Sequence, residues 1–209
     1  MSAASDRPRA DFGKNRRLKA IVGAYAVWWV LMAVRPVYPA DWLLENLLVV
    51  PFVAVLAGTY RRFPLSDLSY GLVALFLALH AVGAHYTYSE VPIGDWAREA
   101  FGLSRNHFDR VVHLAYGLLL AYPVREVLQR AVRARDVVAD LLALGVTLAS
   151  SALYELIEWG VAVVVDPEAG AAYLGAQGDP WDAQKDMALA GLGAVVAMVA
   201  TAARCARRR

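Results

Sequence analysis

Acidic and histidine side chains occur as closely spaced pairs in three parts of this sequence. The pairs are Asp109 and His113, Glu155 and Glu158, and Asp182 and Asp186. Residues three or four positions apart lie on the same face of an α-helix. If each segment is helical, each therefore presents two metal ligands or acid/base groups in one direction.

Carboxylate and imidazole groups in such pairs are typical of metal sites inside helical bundles. Their ligand types suit zinc, manganese or iron. A bound cation would lower the pKa of a bound water and polarise an ester or phosphoryl oxygen. His113, Glu155 or Glu158 would then act as general base. No serine or cysteine nucleophile stands out, since Ser151, one turn before Glu155, is a weak candidate.

The elements that must position these pairs are membrane-spanning helices. The 209 residues are 59% hydrophobic, with a mean hydropathy of +0.42. A helix crosses a bilayer in roughly 20 residues, and spanning segments must satisfy their own backbone hydrogen bonds. Six apolar blocks fit this description: 18–34, 43–60, 68–84, 108–123, 141–165 and 183–203. We expect an all-α bundle of about six transmembrane helices over 18–203, with basic tails at 1–17 and 204–209.

The basic residues indicate how the bundle is oriented. Most lie in the two tails and in the connections after the second and fourth blocks, while the opposite side keeps only Arg35, Arg98, Arg105, Arg110 and Lys185. The positive-inside rule therefore predicts a multi-pass protein with both termini in the cytoplasm. Anionic lipid headgroups account for the basic residues, so the expected partner is the lipid bilayer and not nucleic acid. The oligomeric state is left open.

With this orientation, polar side chains from four spans fall in the outer leaflet. Besides the three pairs, the layer includes His80, His85, Asn106, Arg110, Asp179 and Lys185. An ionised carboxylate within a span costs about 3 kcal/mol or more. We therefore expect the acids to have partners there, namely Arg110, Lys185, the histidines or a bound cation.

Helix capping is an alternative explanation for part of this layer. Asp179 could be an N-cap, with Pro180 as the first helical residue and Asp182 in the first turn. Asn106 and Asp109 could play the same parts in the fourth span. Capping does not explain the acids and the histidine that lie at least one turn inside their helices: His113, Glu155, Glu158 and Asp186. A lone histidine such as His80 more commonly packs as a hydrogen-bonded bundle residue.

A short amphipathic segment separates the third and fourth spans. Its apolar residues recur at helical spacing between Pro92 and Gly102: Ile93, Trp96, Ala97, Ala100 and Phe101. The pattern predicts a helix lying in the outer membrane interface. This helix is either a connector or a lid.

Three functions remain open at this point. The first is a metal-dependent enzyme acting on a lipid or a lipid-linked substrate. The second is a non-enzymatic protein that binds or conducts protons, cations or an amphipathic ligand. The inner halves of the spans hold no matching acid except Asp140 near the interface, which argues against a through-pathway. The third is a structural or regulatory protein whose helices are locked by Arg110 and Lys185 ion pairs.

Four stretches of the sequence resemble a known family. HAVGAHYTY, SRNHFDRVVH, YELIEW and LGAQGDPWDAQKDM occur in the order and spacing of YjdF-like bacterial inner-membrane proteins. The resemblance covers residues 20–203 and implies a location in the inner membrane. It marks as site residues His85, Asn106, Asp109, His113, Glu155, Glu158, Asp179, Asp182 and Asp186, but it names no reaction.

FDRVVHLAYG, the glutamates of the fifth span and DAQKDMALAGLG are more distantly similar to VanZ-like proteins, which are associated with glycopeptide resistance. Asp186 here precedes Met187 and Ala188, which departs from the VanZ-like pattern. The resemblance therefore does not carry that activity over.

Overall fold

A computed structural model describes residues 11–165, 170 and 173–207. Within these ranges the regular structure is helical, as predicted. The helices whose bounds lie within the described residues are α1 (Arg16–Ala33), α2 (Pro39–Thr59), α3 (Asp67–Tyr86), α4 (Pro92–Phe101), α5 (Phe108–Ala131), α6 (Asp136–Val164) and α7 (Asp182–Ala206). Short 3-10 turns precede α1, at Phe12–Lys14, and α4, at Tyr88–Glu90.

Five of the described helices are long and apolar enough to cross a membrane: α2, α3, α5, α6 and α7. The remaining predicted span, the first block at 18–34, corresponds to α1, an 18-residue helix. Arg16, Arg17 and Lys19 lie at its start, so its apolar part is shorter. The helical membrane bundle expected from the sequence is confirmed.

The boundaries of α5 and α6 differ from the predicted blocks. Helix α5 continues through Pro123 to Ala131, because the following residues are good helix formers and a proline is tolerated inside a membrane helix. The extension is also held in place: Glu126 accepts hydrogen bonds from the hydroxyls of Ser66, at 2.7 Å, and Ser69, at 2.5 Å. Hydropathy alone could not locate these polar ends.

Helices α1, α3, α5 and α7 pack side by side in this order, so that each contacts the next. Helix α6 packs on both α5 and α7, whereas α2 packs on α3. Helices α3 and α5, which pack against each other at the centre, thus lie between α2 and α6.

Two glycines allow a close approach of α5 and α7. A Cβ on Gly117 would lie 1.8 Å from the carbonyl oxygen of Ala190, and one on Gly193 would lie 2.2 Å from that of Leu114. Small residues allow membrane helices to pack closely, and α7 is the helix that Gly117 admits. This contact brings the Asp109 end of α5 beside the Asp186 end of α7.

Helix α4 is present with the expected bounds. Gly102 ends it in the left-handed conformation, with φ of 62°, which glycine adopts without strain. Ile93, Trp96 and Phe101 are exposed, as expected for a helix that turns its apolar face to lipid. No α4 side chain lines the cavity described below, which favours the connector over the lid.

The predicted N-cap residues of α5 and α7 are wrong, although Asp109 and Asp182 do lie in the first turns of these helices, as predicted. Helix α7 begins at Asp182 with Trp181 as N-cap. Asp179 instead accepts a hydrogen bond from the Trp181 amide at 3.1 Å within the preceding turn. Helix α5 has His107 as N-cap, and Asn106 accepts from the Phe108 amide at 3.0 Å. Both side chains are drawn into contacts between loops, described below.

Candidate functional site

Three of the predicted ligands meet between α5 and α7, next to the close contact at Gly117. Asp109, His113 and Asp186 each offer a ligand atom, and these atoms lie within 4.8 Å of one another. The His113 Nε2 atom is 3.5 Å from Asp109 Oδ1. His113 and Asp186 are buried. We call these three residues the carboxylate–histidine cluster, and the end of the bundle that contains it the acidic end.

Helix α6 adds a fourth group to the cluster's edge. Glu155 Oε1 lies 3.4 Å from His113 Nε2. In the described part of the chain, Glu155 Oε1 and Asp186 Oδ1 are both buried without a hydrogen-bond partner. Buried acceptors are normally satisfied, so these two oxygens point to a missing positive or hydrogen-donating group. The donor set of carboxylate oxygens and one imidazole nitrogen fits zinc, manganese or iron.

Asp182 and Glu158, also predicted as ligands, lie outside this set. Asp182 accepts hydrogen bonds from both terminal nitrogens of Arg105, the one from Nη2 at 3.2 Å, and lies 3.3 Å from Arg110 Nη2. Glu158 lies one turn beyond Glu155 on the same face of α6. The Asp182–Asp186 pair is therefore divided between an ion pair and the cluster.

A network of ion pairs covers the cluster. We call it the arginine clamp, and its members are Arg105, Arg110, Asp179, Asp182 and Lys185. Arg105, only 4% exposed, also donates to the backbone carbonyls of Ala176 and Gly175 at 3.0 and 3.2 Å. The clamp thus joins the α4–α5 connection to residues 175–182.

Asp179 takes the partners that the sequence suggested for the acidic layer. It accepts hydrogen bonds from Lys185, at 2.6 Å, and from Arg110. Hydrogen bonds from Lys185, from the Trp181 amide and from Arg110 hold the pKa of Asp179 below its ordinary value. Its carboxylate is therefore charged at neutral pH, and the clamp is intact there.

Asn106 and Gln177 reinforce the same junction. The backbone N–H of Asn106 donates to Gln177 Oε1 at 3.0 Å, and Gln177 Nε2 donates to the backbone carbonyl of Asn106 at 2.9 Å. Asn106, which is fully buried, also donates through Nδ2 to the Val91 carbonyl at 3.0 Å. Asn106 therefore holds loops together and has no contact that suggests catalysis.

His80 belongs to a second buried group, on α2 and α3. The Tyr88 hydroxyl lies 2.6 Å from His80 Nδ1, and burial raises the pKa of the Tyr88 phenol well above its ordinary value. Tyr88 therefore stays protonated, and its hydroxyl donates a hydrogen bond to Nδ1. The ring hydrogen is then on Nε2, which donates a hydrogen bond to the Glu45 carbonyl at 3.3 Å. Both nitrogens of His80 are satisfied, in agreement with a packed histidine.

Glu45 was not among the predicted site residues. It is buried, and its Oε2 accepts a hydrogen bond from the Tyr154 hydroxyl at 3.0 Å. The Tyr154 ring packs against His113 with centroids 6.2 Å apart, which links Glu45 to the cluster. Its signal was present in the sequence, because an acid inside an apolar helix is a functional candidate by default.

His85 is placed away from these groups. Its Nδ1 lies 2.9 Å from the carbonyl oxygen of Met32 on α1, and its ring packs against Tyr86. His85 therefore joins α3 to α1, and the described structure does not place it in the cluster.

A cavity of about 350 Å³ reaches the cluster from within the bundle. One end is polar, and its walls include Glu45, His80, Tyr88, Asp109, His113 and Tyr154. The other end is mostly apolar and is lined by Leu48, Val49, Phe52, Leu77 and Leu120, among others. Helices α3 and α5 form its floor, and α2 and α6 form its walls. The arrangement suits an amphipathic ligand whose polar end meets Asp109 and His113.

Comparison with known proteins assigns the chain to a family. Residues 17–207 match the family described as "Predicted membrane protein (DUF2238)". The chain is also 44% identical over 160 residues to the inner membrane protein YjdF of Escherichia coli (strain K12), covering 76% of each chain. No solved structure matches the chain. The resemblance to YjdF-like proteins is confirmed, whereas the more distant one to VanZ-like proteins stays a prediction. The chain is therefore an integral membrane protein that belongs to the DUF2238 family.

Proposed function

We propose that the protein binds a divalent cation at Asp109, His113 and Asp186 and uses it on a lipid or lipid-linked substrate at the polar end of the cavity. The observation that carries the proposal is the pair of buried, unpartnered oxygens of Asp186 and Glu155 beside the His113 imidazole. These two oxygens come from α7 and α6 and both lie near the His113 imidazole.

The local charge balance supports a cation. The nearby arginines, Arg105 and Arg110, are already paired with Asp179 and Asp182 in the clamp. Each further ionised carboxylate within the membrane costs about 3 kcal/mol or more. A divalent cation would offset this cost for several carboxylates at once, whereas one neutral or protonated histidine would not.

Each group has a distinct part in this site. Asp109, His113 and Asp186 would hold the cation, which when bound would supply a water of lowered pKa and polarise a substrate oxygen. Glu155, 3.4 Å from His113 Nε2, is placed to accept a proton at the edge of the site. The clamp would keep bulk water away from these groups.

Metal analysis of the detergent-purified protein tests this proposal. We expect about one zinc, manganese or iron ion per chain in the wild type, and a large loss of metal in Asp186→Asn and His113→Ala. Asp95→Asn is the matched control, because Asp95 is an acid of the connecting helix α4 that pairs with Arg98 outside the cluster. It should retain the metal.

A wild-type protein that stays metal-free after each of the three ions is offered would contradict the proposal. The cluster would then be a hydrogen-bonded polar layer, and binding of an amphipathic ligand or of protons would be the better function. The inner-membrane location is supported by the name of the Escherichia coli relative. The cytoplasmic position of both termini stays a sequence prediction, which reporter fusions at each end would check.

A further inference from the structure

We infer that the cavity receives an acyl chain of a bilayer lipid, which enters sideways between α2 and α6 from the leaflet at the acidic end. Its ester or phosphoryl group would then lie at the carboxylate–histidine cluster. The inference names the substrate class of the proposed function and the path by which it arrives. Binding of the chain itself does not require the cation.

The acidic end is covered on its aqueous side. Arg105 is 4% exposed and Asn106 is fully buried, and both are bonded to residues 175–182 as described above. None of the clamp residues lines the cavity. A ligand that came from water would have to break these bonds, whereas one that comes from the membrane would not.

The cavity is open towards the bilayer between its two walls. Leu48 on α2 and Leu153 on α6 both line it, yet they are 44% and 57% exposed. Helix α2 packs on α3, and α6 packs on α5 and α7. The gap between α2 and α6 is bridged at its polar end by the hydrogen bond from Tyr154 to Glu45. Lipid therefore has access to the apolar end without displacing a helix.

The size and lining of the cavity agree with a single chain. Its volume of about 350 Å³ lies at the small end of the ~300–1,000 Å³ typical of ligand pockets, which favours one acyl chain over two. Ser151 Oγ, which is buried on the cavity wall, has no hydrogen-bond partner in the described structure. An unsatisfied hydroxyl one turn below Glu155 is where a polar atom near the head of a lipid would be held.

Photolabelling from within a bilayer tests this inference. The full chain is reconstituted in vesicles of phosphatidylethanolamine and phosphatidylglycerol that contain a little phosphatidylethanolamine with a diazirine midway along one acyl chain. Leu77 and Met198 are both buried, at 5% and 7% exposure, but only Leu77 lines the cavity. We expect label on Leu77 and none on Met198, which packs in the core between α5, α6 and α7.

A blocking variant sharpens the result. Ser151→Phe fills the cavity and should lower labelling of Leu77 severalfold, whereas Leu156→Phe, at an exposed position on the same helix, should not. The comparison of Leu77 with Met198 in the wild type stands even if Ser151→Phe fails to fold. Label confined to exposed residues such as Leu48 and Leu153 would overturn the inference.

Labelling is repeated on protein stripped of metal, which separates this inference from the proposed function. Label on Leu77 in a protein that never binds metal would support the lipid cavity and remove the metal-dependent reaction. Bound metal without label on Leu77 would overturn lateral entry and leave the metal site standing.

Discussion

Alanine at Gly117 is expected to lower the free energy of unfolding by about 3 kcal/mol or more, the upper end of the effect of overpacking. The added Cβ would lie 1.8 Å from the Ala190 carbonyl oxygen, and 2.7 Å from the Ala194 amide nitrogen. Both atoms belong to the backbone of α7, so no side-chain rotation can relieve the overlap. Helices α5 and α7 would have to move apart.

Thermal denaturation of the detergent-purified protein, followed by circular dichroism, measures this effect. Gly193→Ala should behave in the same way, because its Cβ would lie 2.2 Å from the Leu114 carbonyl oxygen. Gly145→Ala, on α6, is the matched control, since nothing lies within 4 Å of its added Cβ. If Gly117→Ala and Gly145→Ala have the same melting temperature, α5 and α7 do not pack as closely as described.

Separation of these two helices has a chemical consequence as well. Asp109 and His113 lie on α5, whereas Asp186 lies on α7. If the proposed cation is bound, Gly117→Ala should therefore lose it together with stability, although Gly117 is not one of the proposed ligands. A variant that is destabilised but keeps its metal would show that the cluster does not need the contact.

The sequence indicated how far along each span the site residues lie better than it indicated which of them meet. Hydropathy and helical spacing place a residue along a span and on a face. They grouped Asp109, His113 and Asp186, whose ligand atoms lie within 4.8 Å of one another in the structure. They do not report which helices are neighbours. Gly117 and Gly193 carried that information, because small residues mark close helix contacts in membranes. The lateral arrangement of α2 and α6 had no comparable signal.

Residue spacing could not predict the ion pair between Asp182 and Arg105. Asp182 and Asp186 lie on one face of a helix, but Asp182 is at the helix start, within reach of an arginine from another loop. Arg105 precedes α5 in a connection, where residue spacing has no fixed direction, so its partner could not be inferred. Glu45 was overlooked because it is single, and pairs were taken as the signal.

Replacement of Arg105 by alanine is expected to destabilise the protein by about 3–5 kcal/mol, the usual cost of removing one partner from a buried ion pair. The change leaves the buried Asp182 carboxylate without its bidentate partner. It also leaves the carbonyl oxygens of Ala176 and Gly175 without their donor. The connection before α7 would come away from the α4–α5 connection.

Arg98→Ala is the matched control on the same side of the membrane. Arg98 pairs with Asp95 at 3.2 Å, but both side chains are partly exposed, and an exposed pair is worth ~0–1 kcal/mol. Its melting temperature should stay close to that of the wild type. Equal losses in Arg98→Ala and Arg105→Ala would mean that the clamp contributes no more than a surface ion pair.

The double variant Arg105→Ala/Asp182→Asn separates two costs of losing Arg105. One is the loss of its hydrogen bonds to backbone carbonyls, and the other is the loss of the main partner of the Asp182 carboxylate. Without Arg105, the Asp182 carboxylate keeps, among the described residues, only its 3.3 Å contact with Arg110. If most of the cost comes from this loss of pairing, removing the charge should recover part of the stability, so the double variant will lose less than the sum of the two single losses. Additive losses would place the cost in the backbone carbonyls of Ala176 and Gly175 instead. Either result identifies which contacts hold the arginine clamp over the cluster. An intact clamp blocks entry from water and leaves the bilayer as the proposed route to the cavity.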